Sequence, residues 1–215
     1  MSSILFAAKH KALLFTAAVL LAAASFPATA QDSSKAEEVQ QYPRISSKIK
    51  PGSSTLNIDL PFNFDGQFVD EEIPNDMKNW FKASKRCQVN KEPVTMVVAY
   101  TLFSQEYVNK IFIGNEDAVS RGYLQSSMVD RLAKMEKDGG ISAFNYRVMD
   151  IKLTGSKDKA LLMKSKYREN SQDFEIWVLQ ILHKKEIWQL AFFFNPKNLA
   201  MQDAVEAACF STVIK

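Results

Sequence analysis

The sequence predicts an α+β fold in which an antiparallel sheet carries helices on both faces. Four runs rich in β-branched and aromatic residues follow one another late in the chain, joined by short polar turns. Connections this short cannot cross over between parallel strands, so the four runs predict an antiparallel meander. The last two runs are apolar on both sides, which is typical of central strands that are covered above and below.

The chain begins with the pattern of a secretory signal peptide. Lys9 and Lys11 precede an apolar run over residues 12–25, and a small-residue motif ends at Ala30. As a helix this run would span only about 21 Å, less than the ~30 Å hydrocarbon core of a membrane. We therefore expect residues 1–30 to be removed by cleavage between Ala30 and Gln31, with the product in the periplasm or outside the cell.

Charge and composition bound the rest of the chain. The leader holds two of the 27 Lys and Arg residues and none of the 24 Asp and Glu residues, so the remaining chain carries a net charge of +1. This near-neutral balance argues against nucleic acid as a partner. Residues 31–54 are polar and predict a flexible arm. Residues 55–215 are long enough to form one folded domain.

The first half of this domain mixes strands and helices. Alternating apolar residues predict a strand over 55–64, which Pro61 places at an edge or ends early. Asn75 can cap a short helix, and residues 94–103 predict a second strand. Ser104 can cap a helix that ends at Gly114. Asn115 or Asp117 then opens a longer helix to Lys137, whose inner stripe is Leu124, Met128, Leu132 and Met135.

The second half is the meander and a last helix. The predicted strands cover residues 146–154, 159–169, 172–183 and 186–195. Asn198 can cap the helix that follows, and its apolar residues are Met201, Val205, Ala208 and Cys209.

This order of elements resembles the PsbP/DcrB-like fold family. The resemblance is carried by a short strand ending in proline (Leu56-Asn57-Ile58-Asp59-Leu60-Pro61), by helices before a meander, and by a last helix running into a short tail (207–214). It implies an α/β/α sandwich and a noncatalytic accessory or assembly role. The alternative is a cystatin-like or nuclear-transport-factor-like helix with a curved sheet, which usually ends on a strand.

Two cysteines, Cys87 and Cys209, remain after removal of the leader. An even number of cysteines in an exported chain favours a disulfide, since oxidising compartments preserve such bonds. We therefore expect a Cys87–Cys209 disulfide, with two separately buried thiols as the alternative.

The sequence contains no catalytic or metal-binding motif. His183 is the one histidine after cleavage, and its position in a predicted hairpin turn predicts a solvated side chain without a chemical role. Acidic residues within 65–76 do not follow the EF-hand spacing. We expect no cofactor and no metal. A carboxylate or serine hydrolase site stays open, because such a site need not leave a sequence motif.

Basic residues form two features that could bind an anionic partner. Three lysines recur on one face of the predicted helix after Asn75, with an arginine beside them, and three further basic residues alternate along the strand over 159–169. These residues are Lys78, Lys82, Lys85, Arg86, Lys164, Lys166 and Arg168. The alternative is that they are ordinary solvated faces opposite a core.

Together these observations predict an exported, noncatalytic accessory protein that binds a protein or a cell-envelope component. Two alternatives remain: an inhibitor or immunity protein acting on a secreted enzyme, and a hydrolase with an unrecognised site. The sequence leaves the oligomeric state open.

Overall fold

The computed structural model of the protein describes residues 41–215, which form ten strands in two sheets, together with helices. The strands are β1 (Ile45–Ile49), β2 (Leu56–Leu60), β3 (Val69–Asp70), β4 (Phe81–Lys91), β5 (Val94–Phe103), β6 (Ser142–Ile151), β7 (Lys159–Glu169), β8 (Gln172–His183), β9 (Glu186–Phe194) and β10 (Val213–Ile214). The helices are α1 (Gln105–Tyr107), α2 (Glu116–Leu124), α3 (Asp130–Lys137) and α4 (Leu199–Ser211).

The larger sheet has seven strands in the order β3-β4-β5-β9-β8-β7-β6, and every neighbouring pair is antiparallel. The predicted meander is confirmed, because β6 to β9 follow one another across the sheet in reverse order. Central strands β8 and β9 are buried along nearly their whole length, as residues that are apolar on both sides require. The smaller sheet has the order β1-β2-β10.

The helices begin where the sequence places their caps. The Ser104 hydroxyl accepts a hydrogen bond from the backbone N–H of Tyr107 at the start of α1, which continues as a π-helical turn over Val108–Phe112. A second π-helical turn, Gln125–Val129, joins α2 to α3 into the long predicted helix. The Asn198 side chain accepts from the backbone N–H of Met201 and caps α4.

Helices cover both faces of the larger sheet, so the predicted α+β sandwich is confirmed. On one face, Leu124, Met128 and Leu132 of the long helix pack against β7, β8 and β9. On the other face, α4 and strand β2 bury their apolar residues against the sheet. The chain has the predicted order of proline-ended strand, helices, meander, helix and tail.

The predicted helix after Asn75 is wrong. Only one 3₁₀ turn forms, over Asn75–Met77, and strand β4 begins at Phe81. The spacing of Met77, Trp80 and Phe81 suits a helix, but the next residues alternate in burial with the period of a strand, with Cys87 and Val89 inside. Long-range pairing with β5 therefore decides the local structure.

The predicted arm contains a strand that the sequence analysis missed. Strand β1 pairs with β2 from Ile45 opposite Leu60 to Ile49 opposite Leu56, so ordered structure begins before residue 55. Its five residues lack a clear apolar pattern, and only Ile49 is fully buried. The predicted leader, its cleavage site at Ala30 and Gln31, and residues 31–40 of the arm lie outside the described residues.

The predicted Cys87–Cys209 disulfide is also wrong, because both cysteines are free and buried. Cys87 lies on β4, whereas Cys209 lies on α4 within the electrostatic reach of Lys164 on β7. Four strand-to-strand steps separate β4 from β7, about 19 Å at the usual strand spacing. A disulfide needs Cα atoms within about 7 Å. The alternative of two separately buried thiols is the correct one.

Candidate functional site

A groove of about 720 Å³ opens at one end of the larger sheet. Four segments that are distant in sequence meet there: the loop before β2, the helical segment at 108–116, the loop before β7 and the turn between β8 and β9. The lining residues are Ser53, Ser54, Val108, Phe112, Ile113, Glu116, Lys157, Asp158, Lys159, Leu182, Lys184, Lys185 and Glu186. This volume lies in the range of pockets that bind small ligands.

Glu186 is the buried carboxylate of the groove, and three neighbours donate hydrogen bonds to it. Its Oε1 accepts from the Ser53 hydroxyl at 2.9 Å and from the Tyr100 hydroxyl at 3.0 Å. Its Oε2 accepts from Trp188 Nε1 at 3.3 Å. Burial and the negative charge of Glu186 raise the pKa of Tyr100, which keeps this hydroxyl protonated as a donor. These hydrogen bonds thus stabilise the Glu186 carboxylate inside the protein, although no cation pairs with it among the described residues.

Asp158 also has hydrogen-bond partners inside the protein. One carboxylate oxygen, Oδ1, lies 2.9 Å from His183 Nδ1, and Oδ2 accepts a hydrogen bond from the Ser156 hydroxyl at 2.8 Å. His183 is 8% exposed, so the expectation of a solvated side chain is wrong. The histidine is the last residue of β8, on the face that packs against α4, and the turn itself begins at Lys184.

Ser156, Asp158 and His183 do not have the geometry of a serine hydrolase triad. In a triad the histidine lies between the acid and the nucleophile. Here Asp158 lies between the other two, because both Ser156 and His183 contact its carboxylate. The second ring nitrogen of His183, Nε2, is buried and has no hydrogen-bond partner among the described residues. This arrangement orders the loop before β7 rather than activating a hydroxyl.

Three lysines of the groove keep their charge uncompensated. Within residues 41–215, no carboxylate forms an ion pair with Lys157, Lys184 or Lys185, whereas Lys159 pairs with Asp117 at 2.8 Å. The remaining carboxylate, Glu116, has its pKa lowered by hydrogen bonds from the backbone at Glu116 and Gly114. The groove lining therefore carries four lysines against three carboxylates, and three of these lysines have no ion-pair partner within residues 41–215 and can bind an anion.

Part of the groove lining is apolar. Val108, Phe112 and Ile113 come from the helical segment, and Leu182 comes from the end of β8. Phe112 and Leu182 belong to a packed cluster and are 5% and 6% exposed, whereas Ile113 is 66% exposed. Phe112 and Leu182 thus form a packed apolar wall of the groove, from which Ile113 projects into solvent.

The structure separates the two basic features that the sequence predicts. Lys82, Lys85 and Arg86 lie on β4, next to Lys78, and strands β5, β9 and β8 lie between them and the basic residues of β7.

Most of these predicted residues already have acidic partners. On the first feature, Lys85 pairs with Asp70 at 3.3 Å and Arg86 with Glu71 at 3.9 Å. On β7 the ion pairs are Lys164–Glu206, Lys166–Glu175 and Arg168–Asp173. Lys78 and Lys82 have no such pair within the described part of the chain. Binding of an anion by these residues stays a prediction.

Lys164 is held more firmly than a surface lysine. Its Nζ lies 3.1 Å from Glu206 and 3.3 Å from the centre of the Trp177 ring, and the side chain is 12% exposed. An ammonium over an aromatic face is stabilised by the negative potential of the ring. This lysine therefore fastens α4 to the sheet.

The groove residues were missed by sequence reasoning because they come from four separate turns and loops. Short turns with lysines are common in surface hairpins, so Lys184 and Lys185 alone carry no functional signal. In residues 41–215 no group of three His, Cys, Asp or Glu side chains is placed to hold a metal ion. The helices in this range are all too short or too polar to cross a membrane.

No protein-family model and no curated protein sequence matches this chain. Its fold is similar to several solved structures. The PsbP of Synechocystis shares 6% identity over 84% of this chain and 98% of its own, with a TM-score of 0.46. LpqN, involved in cell envelope biogenesis of Mycobacterium tuberculosis, shares 10% sequence identity over 80% of this chain and 91% of its own, with a TM-score of 0.39. PA94 of Pseudomonas aeruginosa, a protein of unknown function, shares 12% sequence identity over 78% of this chain and 95% of its own, with a TM-score of 0.36. At such identities the similarity concerns the fold alone.

Proposed function

We propose that this is an exported, noncatalytic accessory protein that binds an anionic group of a cell-envelope component in the groove. Export rests on the signal-peptide pattern of residues 1–30. The observation that carries the proposal is the set of uncompensated lysines, Lys157, Lys184 and Lys185, beside carboxylates that already have internal donors.

The charge arrangement supports anion binding in particular. Cations in a concave site attract anions more strongly than the same cations on a convex surface, because low-dielectric walls concentrate their field. The remainder of the protein is close to neutral, so the attraction is local to the groove. A phosphate or a carboxylate accepts hydrogen bonds from several ammonium groups at once.

A titration with inorganic pyrophosphate tests this function. Amide chemical shifts of the chain without residues 1–30 are followed by NMR while pyrophosphate is added. We expect shifts at the two turns that carry the lysines. The variant K157Q/K184Q/K185Q is expected to bind at least tenfold more weakly, since it loses all three partners of the anion.

The matched control is K78Q/K82Q/K137Q, which removes three exposed lysines elsewhere and changes the net charge equally. Lys78 and Lys82 belong to the basic feature that the sequence predicts, so this control also tests that prediction. Equal loss of binding in both variants, or shifts confined to β4, would overturn the assignment of the groove. Absence of any shift up to millimolar pyrophosphate would overturn the proposed function itself.

A further inference from the structure

We infer that the ligand of the groove is an amphiphile, a molecule that joins a phosphate-type head to an alkyl chain. This inference rests on the proposed function and adds to it the chemical class of the ligand. It follows from the composition of the groove lining, which combines lysines of two loops with apolar side chains of the helical segment and of β8.

The anion-binding lysines come from the two turns at the end of the meander. Lys157 lies in the loop between β6 and β7, and Lys184 and Lys185 form the turn between β8 and β9. The Asp158 carboxylate accepts a hydrogen bond from the Ser156 hydroxyl and also contacts His183 Nδ1. These contacts hold the loop before β7 against the end of β8. A head group with several acceptor oxygens could therefore contact both turns at once.

Most of the apolar lining comes from the helical segment after β5, and Leu182 adds to it from the end of β8. Phe112 is packed against Phe103, with ring centres 5.5 Å apart, so the wall has a fixed position. Ile113 follows directly and leaves two thirds of its surface in solvent. When an alkyl chain covers an isoleucine exposed to this extent, the complex is stabilised, because apolar surface is removed from water.

The size of the groove agrees with this composition. A volume of about 720 Å³ is far more than an inorganic phosphate fills, and it suits a ligand that contacts both the lysines and the apolar lining. An acidic peptide is the competing class of ligand. The apolar wall and the small number of uncompensated lysines favour a molecule with a single anionic head, and a peptide arm in the experiment decides between the two.

The experiment compares three small probes, with hexaglutamate as the peptide arm, by isothermal titration calorimetry on the chain without residues 1–30. Octyl phosphate, kept below its critical micelle concentration, carries both head and chain. Inorganic phosphate carries the head alone, and octyl glucoside carries the chain with a neutral head. We expect octyl phosphate to bind at least tenfold more tightly than either of the others, because each buried methylene increases the binding constant roughly fourfold.

Two matched variants test whether the octyl chain of the probe binds beside Ile113. I113S removes the exposed side chain of the groove, and V69S removes an apolar side chain of similar exposure, 57%, on strand β3. Both positions are exposed, so folding is not at risk. We expect I113S to weaken the binding of octyl phosphate at least threefold without changing the binding of inorganic phosphate. We expect V69S to change the affinity for neither probe.

The outcomes separate this inference from the proposed function. If inorganic phosphate binds and the octyl chain adds nothing, the inference fails while the function stands. If octyl glucoside binds as tightly as octyl phosphate, the lysines are not used and both fail. Tighter binding of hexaglutamate than of octyl phosphate would replace the amphiphile by an acidic peptide.

The source of the amphiphile is distinguished by a final arm with vesicles. Sedimentation with phosphatidylcholine vesicles that contain phosphatidylglycerol, and with phosphatidylcholine alone, tests whether the head is taken from a bilayer. Binding to the anionic vesicles identifies a membrane lipid, and binding of octyl phosphate alone identifies a free amphiphile. Either result supports the shared chemistry, and failure of both probes overturns it.

Discussion

Tyr100 and Glu186 are joined across neighbouring strands by a buried hydrogen bond, in which the tyrosine hydroxyl donates to Oε1 of the carboxylate at 3.0 Å. Tyr100 is 2% exposed and Glu186 is 4% exposed, so neither group exchanges this partner for water. The Tyr100 ring also packs edge-on against Trp188, with ring centres 5.1 Å apart. This contact holds the turn between β8 and β9, and with it two of the groove lysines.

Removing the Tyr100 hydroxyl should therefore destabilise the protein. We expect Y100F to lower the free energy of unfolding by about 1.5–3 kcal/mol, because a buried carboxylate loses one of its donors. Urea unfolding measures the change. Y146F is the control, since Tyr146 is 45% exposed and its hydroxyl has no hydrogen bond among the described residues, and it should change the free energy by less than about 0.5 kcal/mol. Equal effects of both variants would contradict the role of this hydrogen bond.

The two cysteines should behave as free thiols. When the protein is unfolded without a reductant and treated with iodoacetamide, mass spectrometry should find both Cys87 and Cys209 modified. In the native protein both should resist modification, because they are 2% and 0% exposed and burial raises their pKa values to about 11 and about 12. An unmodified mass after unfolding would mean that the sulfurs are joined.

The same thiols should make the protein less stable in alkaline solution. Folded pKa values above the ordinary 9.0 mean that the folded state holds these protons more tightly than the unfolded state. This contribution to stability is complete below pH 9 and is lost as the pH rises through about 11 to 12, by up to about 1.4 kcal/mol per pH unit for each thiol. Unfolding free energies measured between pH 8 and 10.5 should fall. C87A/C209A should fall less steeply, and an unchanged slope would exclude the thiols as the cause.

Gly66 should tolerate no side chain, because a Cβ atom there would clash with the sulfur of Cys87 and would lie 2.7 Å from Cγ2 of Val89. We expect G66A to destabilise the protein by about 1–3 kcal/mol through overpacking. G122A is the control, since Gly122 lies inside α2 with no neighbour within 4 Å. In a helix interior, alanine is more favourable than glycine by about 0.5–1 kcal/mol, so G122A should stabilise the protein. Thermal unfolding of both variants checks the two opposite signs.

The strands of the meander could be predicted because their signals are local. Strands β7 and β8 have the predicted bounds, and so does β5 earlier in the chain, since alternating or continuous burial along each strand matches the residue pattern. The caps at Ser104 and Asn198 were predictable for a similar reason, because a capping side chain bonds to a backbone group only three residues away.

Strands β1 and β4 were harder to predict because their partners decide them. Strand β1 has little apolar pattern of its own and is held by its pairing with β2. Met77, Trp80 and Phe81, which lead into β4, have a spacing that suits a helix equally well, and only the register with β5 selects the strand. Propensity is a weak preference that such pairing overrides.

By itself, the sequence determined the fold class, the order of the meander and the caps at Ser104 and Asn198, because these features arise from contacts between near neighbours in the chain. Tertiary structure alone decided the distance between Cys87 and Cys209, the burial of His183 and the choice of which lysines remain uncompensated. Each of these depends on segments that are far apart in sequence and meet only when the sheet is complete. Charge pairing is the clearest example, since Lys164 meets Glu206 across 42 residues while Lys184 and Lys185 meet no carboxylate among the described residues.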